Sequence, residues 1–199
     1  MDTPGGCLLY LHGFKSSPRS AKAVQLESAA KARNIPFFCP SLPVSAKAAI
    51  ALAEDLIARA PAPVTLVGSS LGGYYATWLA ERHGCKAVLV NPAVVAHLSL
   101  EPYLGPQANF HTGETFEFTR QHIEELRALE VPRITRPERY WLLVESGDEV
   151  LDYRQAVARY AGARQTVLPG GDHSFTRWTE YLDEIFSFAC HPEWTPPPP

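Results

Sequence analysis

The residues Gly68-Ser69-Ser70-Leu71-Gly72 lie between an apolar run over 64–67 and a helix-forming stretch over 71–82, and they constrain the fold more than any other part of the chain. A strand entering this segment must reverse sharply into a helix. Small residues on both sides of the central serine let such a turn form and present its Oγ at the edge of a sheet. Centring the G-x-S-x-G pattern on Ser69 would put Val67 where the first glycine is needed. Ser70 is therefore the candidate nucleophile and Ser69 its neighbour.

Around this turn, short β-branched or aromatic runs alternate with longer segments of helical period, the pattern of βαβ units and a mainly parallel sheet. Strands are expected near 7–11, 35–38, 64–68, 87–91, 140–145 and 164–168, most of them almost uniformly apolar, as strands covered on both faces are. Ser17 before Pro18 predicts the start of the first helix, with Ala23, Leu26 and Ala30 on one face and Asn34 at its end. Ser45 predicts the cap of a second, carrying Ala49, Leu52, Ala53 and Leu56. Leu71, Tyr75, Trp78 and Leu79 form the stripe of a third, which Gly84 stops. A last helix is expected to present Phe175, Trp178, Leu182, Ile185, Phe186 and Ala189 to the sheet.

The chain thus reads as one α/β domain over 1–190 followed by a Pro-rich tail over 191–199. Within it, 91–139 carries scattered aromatics, turn formers and one helix near 119–130. This stretch reads as a small lid or groove wall, with a plain surface excursion as the alternative.

At 199 residues and 46% hydrophobic content, such a domain buries roughly 70% of the surface its unfolded form exposes. A formal charge of −3 and no long Lys/Arg run argue against nucleic acid or an anionic membrane as partner. No leader-like segment opens the chain and no run is long enough for membrane insertion, so a cytoplasmic location is expected. Cys7, Cys39, Cys85 and Cys190 form no C-x-x-C pair, and the seven histidines show no H-x-x-x-H spacing. Neither a metal nor another cofactor is expected. Cys7 and Cys39 fall in strand-like runs and read as buried thiols.

A neutral hydroxyl attacks an ester carbonyl slowly, so Ser70 needs a base that takes its proton and returns one to the leaving group. His173 suits that role, in a Gly170-Gly171-Asp172-His173-Ser174 loop between the last strand and the last helix. Asp148, at the C-terminal edge of the 140–145 strand, is the candidate that orients the imidazole. Asp152 matches a capping box with Gln155, and Asp172 is the sequence neighbour of His173, where adjacent side chains diverge. Glu149 is separable from Asp148 only by geometry. The oxyanion formed on attack calls for two backbone N–H donors. One is expected from Leu71 and the other from Phe14, in the loop His12-Gly13-Phe14 where Gly13 allows close approach. Lys15 reads as a solvated surface lysine, with an acidic group near the entrance as the alternative.

The order Ser70, Asp148, His173 is that of the α/β-hydrolase triad, and the chain resembles the YqiA-like esterases of that superfamily. The likeness rests on Tyr10-Leu11-His12-Gly13-Phe14, Ser16-Ser17-Pro18, Gly68-Ser69-Ser70-Leu71-Gly72-Gly73-Tyr74-Tyr75, Asn91-Pro92-Ala93, Gly147-Asp148-Glu149-Val150-Leu151-Asp152 and Gly170-Gly171-Asp172-His173. It spans roughly residues 7 to 189. The resemblance implies a minimal hydrolase fold with almost no cap and esterase activity on short acyl esters or acyl-CoA thioesters. The expectation is a serine esterase acting on a small-molecule ester or thioester of short to medium acyl chain. An acyl-CoA thioesterase, an acyltransferase and a non-catalytic interaction module are the rivals, and the oligomeric state is left open.

Overall fold

The structure is a computed structural model that describes residues 6–190. The strands are β1 (Cys7–Leu11), β2 (Phe37–Phe38), β3 (Val64–Ser69), β4 (Lys86–Val90), β5 (Gly105–Ala108), β6 (Thr115–Phe118), β7 (Tyr140–Glu145) and β8 (Arg164–Leu168). Six of them form one sheet in the order β2-β1-β3-β4-β7-β8, with every neighbouring pair parallel. Between β1 and β3 the order reverses. In open α/β sheets a crevice opens at that switch point, beyond the carboxyl ends of the strands.

The helices are α1 (Ala21–Ala32), α2 (Ala46–Arg59), α3 (Leu71–His83), α4 (Ala96–Ser99), α5 (Arg120–Ala128), α6 (Tyr153–Arg159) and α7 (Leu182–Cys190). Alternate residues of β1 serve different layers, as the pleat of a strand requires. Leu9 and Leu11 join the core containing Ala49, Ile50, Leu79 and Leu126 of α2, α3 and α5. Leu8 and Tyr10 join the opposite core, with Leu26 of α1 and Ile185, Phe186 and Phe188 of α7. Both faces of the sheet are covered, which explains its nearly uniform apolar strands. Ser45 caps α2 by accepting the Ala48 N–H at 3.2 Å, and Gly84 ends α3 in a left-handed conformation at φ 73°.

Two helix starts differ from expectation. Ser17 does not cap α1; the Ser20 N–H bonds the Ser17 carbonyl at 3.1 Å, closing a turn with Pro18 at its second position, and α1 begins after Ser20. Proline presets the backbone angle that position needs. The last helix begins only at Leu182, because Phe175 is left-handed at φ 56° and Trp178 lies in a 3-10 turn. Phe175 and Trp178 are nevertheless buried in the core with Ile185 and Phe186.

The 91–139 stretch contains α4, a 3-10 turn at Glu101–Tyr103, α5 and an antiparallel β5–β6 hairpin that the sequence reading did not contain. The Pro-rich tail lies outside the described residues. No helix among the described residues is long and apolar enough to cross a membrane. The four cysteines are free; burial pushes the Cys7 thiol up to about 11 and the Cys39 thiol up to about 12.

Candidate active site

Ser70 sits between β3 and α3 at φ 55°, ψ −120°, a conformation that costs a non-glycine residue of order 1–3 kcal/mol and persists only where neighbours enforce it. The Ser70 N–H donates to the Val90 carbonyl at 3.0 Å, and the Ser70 carbonyl accepts the N–H groups of Gly73 and Ala93, each at 3.0 Å. The flanking glycines are required by close approach. A Cβ on Gly68 would lie 2.3 Å from the Gly72 carbonyl oxygen, and one on Gly72 would lie 1.8 Å from that of Leu11. Ser69 is buried, leaving Ser70 as the serine that reaches the cleft.

The structure brings His173 and Asp148 to this turn. His173 Nε2 lies 3.0 Å from Ser70 Oγ, and Nδ1 lies 2.8 Å and 3.0 Å from the two carboxylate oxygens of Asp148. A carboxylate facing Nδ1 places the ring proton there, which leaves Nε2 free to accept from the serine hydroxyl. The Asp148 side chain is only 2% exposed. Its Oδ1 also accepts the N–H groups of Val150 and Leu151 at 2.9 Å and 2.8 Å, so the carboxylate is held in one orientation.

Geometry separates the rival carboxylates. Glu149 accepts the backbone N–H of His173 at 3.0 Å, away from its ring nitrogens. Asp172 turns to the N–H and hydroxyl of Ser174. Asp152 caps α6 by accepting the Arg154 N–H at 3.0 Å.

The loop after β1 runs alongside the serine: a Cβ added to Gly13 would stand 3.2 Å from Ser70 Cβ. Among the described residues no acceptor meets the N–H of Phe14 or of Leu71. His12 braces this loop. Its Nε2 accepts the Leu42 N–H at 3.1 Å and its Nδ1 donates to the Gly13 carbonyl at 3.0 Å, an arrangement of the neutral ring. Burial lowers the His12 pKa accordingly. The Phe14 ring packs edge-on against Tyr103, Phe116 and Phe118, so the 91–139 stretch supports the loop from the other side.

Ser70 and His173 open into a cavity of about 170 Å³ whose walls include Leu71, Ala93, Leu100, Tyr103 and Val150. A second cleft of about 440 Å³ adjoins it across Phe14 and Leu71, between the loop after β1, residues 41–44 and the hairpin. No group of His, Cys, Asp or Glu among the described residues is arranged to hold a metal ion.

Three residues to which the sequence suggested no role stand behind His173. Glu145, fully buried, accepts the Asp172 N–H and the Arg177 Nε–H, each at 3.0 Å. Arg177 also donates to the Pro169 carbonyl at 2.8 Å, and Asn91 bridges the same loop to the end of β7. Apart from Pro169, eight residues before Arg177, their partners lie tens of residues away, so no local spacing signals them.

Solved structures share this architecture at low identity. A putative hydrolase from Agrobacterium vitis S4 matches with a TM-score of 0.76 and 20% identity over 93% of this chain and 88% of that one. Mouse alpha/beta hydrolase domain-containing protein 10 matches at 0.72 and 18%, over 94% and 89%. A Paleococcus ferrophilus monoacylglycerol lipase matches at 0.70 and 15%, over 94% and 96%. At such identities the likeness shows the α/β-hydrolase fold. The model of the uncharacterised protein family UPF0227 matches residues 7–190. The chain belongs to that family, the YqiA-like branch of the α/β-hydrolases.

Proposed function

We propose that the protein is a cytoplasmic serine esterase that hydrolyses carboxylic esters of short to medium acyl chain. The observation that carries this reading is the unbroken contact from Asp148 through His173 to Ser70 Oγ, with spacings of 2.8 Å and 3.0 Å.

Ser70 Oγ attacks the ester carbonyl carbon while His173 Nε2 takes the hydroxyl proton. The new C–O bond pushes the carbonyl electron pair onto oxygen, where the Leu71 and Phe14 N–H groups receive it. One such donor is worth about 3 kcal/mol of transition-state stabilisation. Asp148 stabilises the imidazolium by its charge without taking the proton. Collapse breaks the bond to the leaving oxygen, which leaves as an alcohol with the proton from Nε2. Water, deprotonated by His173, then attacks the acyl-Ser70 ester, releases the acid and restores the serine.

The cavity at Ser70 supports the acyl size. A closed apolar cavity of about 150 Å³ holds benzene, so 170 Å³ accommodates a body of about six carbons with any longer part passing through the mouth. A thioester would follow the same steps with a thiol leaving group.

The test is kcat/KM for 4-nitrophenyl esters of increasing chain length with wild type and Ser70→Ala. Turnover in the wild type that Ser70→Ala loses by several orders of magnitude is expected. Undiminished turnover in the variant would remove Ser70 from the mechanism. Matched oxygen and thio esters place the leaving group, and a strong thioester preference would reassign the protein as a thioesterase.

A further inference from the structure

We infer that Lys15 forms a subsite for an anionic group, a carboxylate or a phosphate, carried by the ester; this rests on the hydrolase reading above. Lys15 lines the cavity that contains Ser70 and His173, and no carboxylate side chain lines that cavity. It also borders the larger cleft, where Glu114 already supplies a negative charge. An anion is therefore favoured at the rim of the smaller, apolar cavity.

The backbone is built to hold this lysine in place. Lys15 is left-handed at φ 59°, a conformation that an L side chain keeps only where its surroundings enforce it. Its carbonyl accepts the Phe110 N–H at 2.8 Å. The next residue is tied on both sides, with the Ser16 N–H on the Gly13 carbonyl at 3.2 Å and the Asn109 amide on the Ser16 carbonyl at 2.8 Å. The oxyanion loop, the lysine and the hairpin tip thus form one clamped unit.

The ammonium stands 4.7 Å from the centroid of Phe110, a ring 72% exposed at the cavity rim. The ring face attracts the cation but supplies no formal charge. Among the described residues no carboxylate lies within ion-pair distance of Lys15 Nζ, which is equally true of Lys22, Lys31 and Lys47; its place beside Ser70 and His173 is what sets Lys15 apart. A compact ammonium beside an apolar pocket, without a counter-ion, matches a carboxylate or phosphate on a substrate whose remaining body is apolar. The anion can stand on the acyl side, as in a dicarboxylic acid monoester, or on the leaving group.

Two substrate pairs distinguish those sources. On the acyl side, 4-nitrophenyl hexanoate is compared with mono-4-nitrophenyl adipate; on the leaving-group side, phenyl hexanoate with 4-carboxyphenyl hexanoate. Each pair is measured with wild type, Lys15→Gln and Lys15→Arg. In at least one pair the anionic member is expected to gain about tenfold in kcat/KM from Lys15. That gain disappears in Lys15→Gln and persists in Lys15→Arg. With the wild type alone, raising the salt should lower kcat/KM for the anionic ester and not for the neutral one. The same ratios in wild type and Lys15→Gln on both sides, with no salt effect, would overturn the subsite and leave the esterase intact. A folded wild type that turns over none of the four would overturn the hydrolase reading and the subsite with it.

Discussion

Asn91 holds the loop that carries His173. Its Nδ2 donates to the His173 carbonyl at 3.1 Å and to the Asp172 carbonyl at 3.0 Å, while its Oδ1 accepts the Glu145 N–H at 3.0 Å. The Asn91 N–H bonds the Leu143 carbonyl at 2.9 Å, and the preceding carbonyl, of Val90, takes the Ser70 N–H. The buried Asn91 side chain at the end of β4 therefore joins the strand that leads to Asp148 to the imidazole loop, while the backbone beside it holds the serine turn.

Asn91→Ala should act through that geometry, since a misplacement of about 1 Å at a reacting group can cost a hundredfold in rate. Steady-state kinetics with a 4-nitrophenyl ester should show kcat lowered by about ten- to a hundredfold and KM changed far less. A variant that loses thermal stability with kcat intact would make Asn91 a structural residue only.

The two adjacent carboxylates should separate by mutation. In Asp148→Asn an amide faces His173 Nδ1 and no longer selects the tautomer, so kcat is expected to fall by about 10⁴. Glu149→Gln still offers an oxygen to the His173 N–H and should cost less than about tenfold. Equal losses would contradict the assignment of Asp148.

Gly72→Ala should destroy the fold, because its Cβ would stand 1.8 Å from the Leu11 carbonyl oxygen; a loss of more than about 4 kcal/mol is expected. Gly113→Ala, at φ 72° with open space around the new Cβ, should lose only about 1–2 kcal/mol. Circular dichroism melts of the two variants check this contrast.

Stability should fall on acidification partly through His12. Burial holds its folded-state pKa below the ordinary value, which is about 6.5 in an unfolded chain. Between the two values the unfolded chain binds the extra proton, so this contribution is fully present above about pH 6.5 and is lost as the pH falls through that range. The urea midpoint should decline from about pH 7.5 to 5.5, and His12→Gln should show a shallower decline. An unchanged slope would remove His12 as a source.

The sheet and the Ser70 turn were legible because their signals are local: apolar runs for buried parallel strands, and small residues where backbones touch. The identity of the acid required geometry, since Asp148 and Glu149 are adjacent and both face the His173 loop. The β5–β6 hairpin was hidden because Gly105 to Ala108 includes a proline and is only half-buried on alternate residues. Ser17 misled because Ser-Pro suits a turn as well as a helix start. Asn91, Glu145 and Arg177 depend on contacts across loops that come together only in the folded chain.

Activation of Ser70 by His173 is read from intact-mass analysis after incubation with a fluorophosphonate, for wild type, Ser70→Ala and His173→Ala. A single adduct is expected on the wild type, absent from Ser70→Ala and strongly slowed in His173→Ala. A well-folded wild type that forms no adduct, or an adduct that survives in Ser70→Ala, would contradict it.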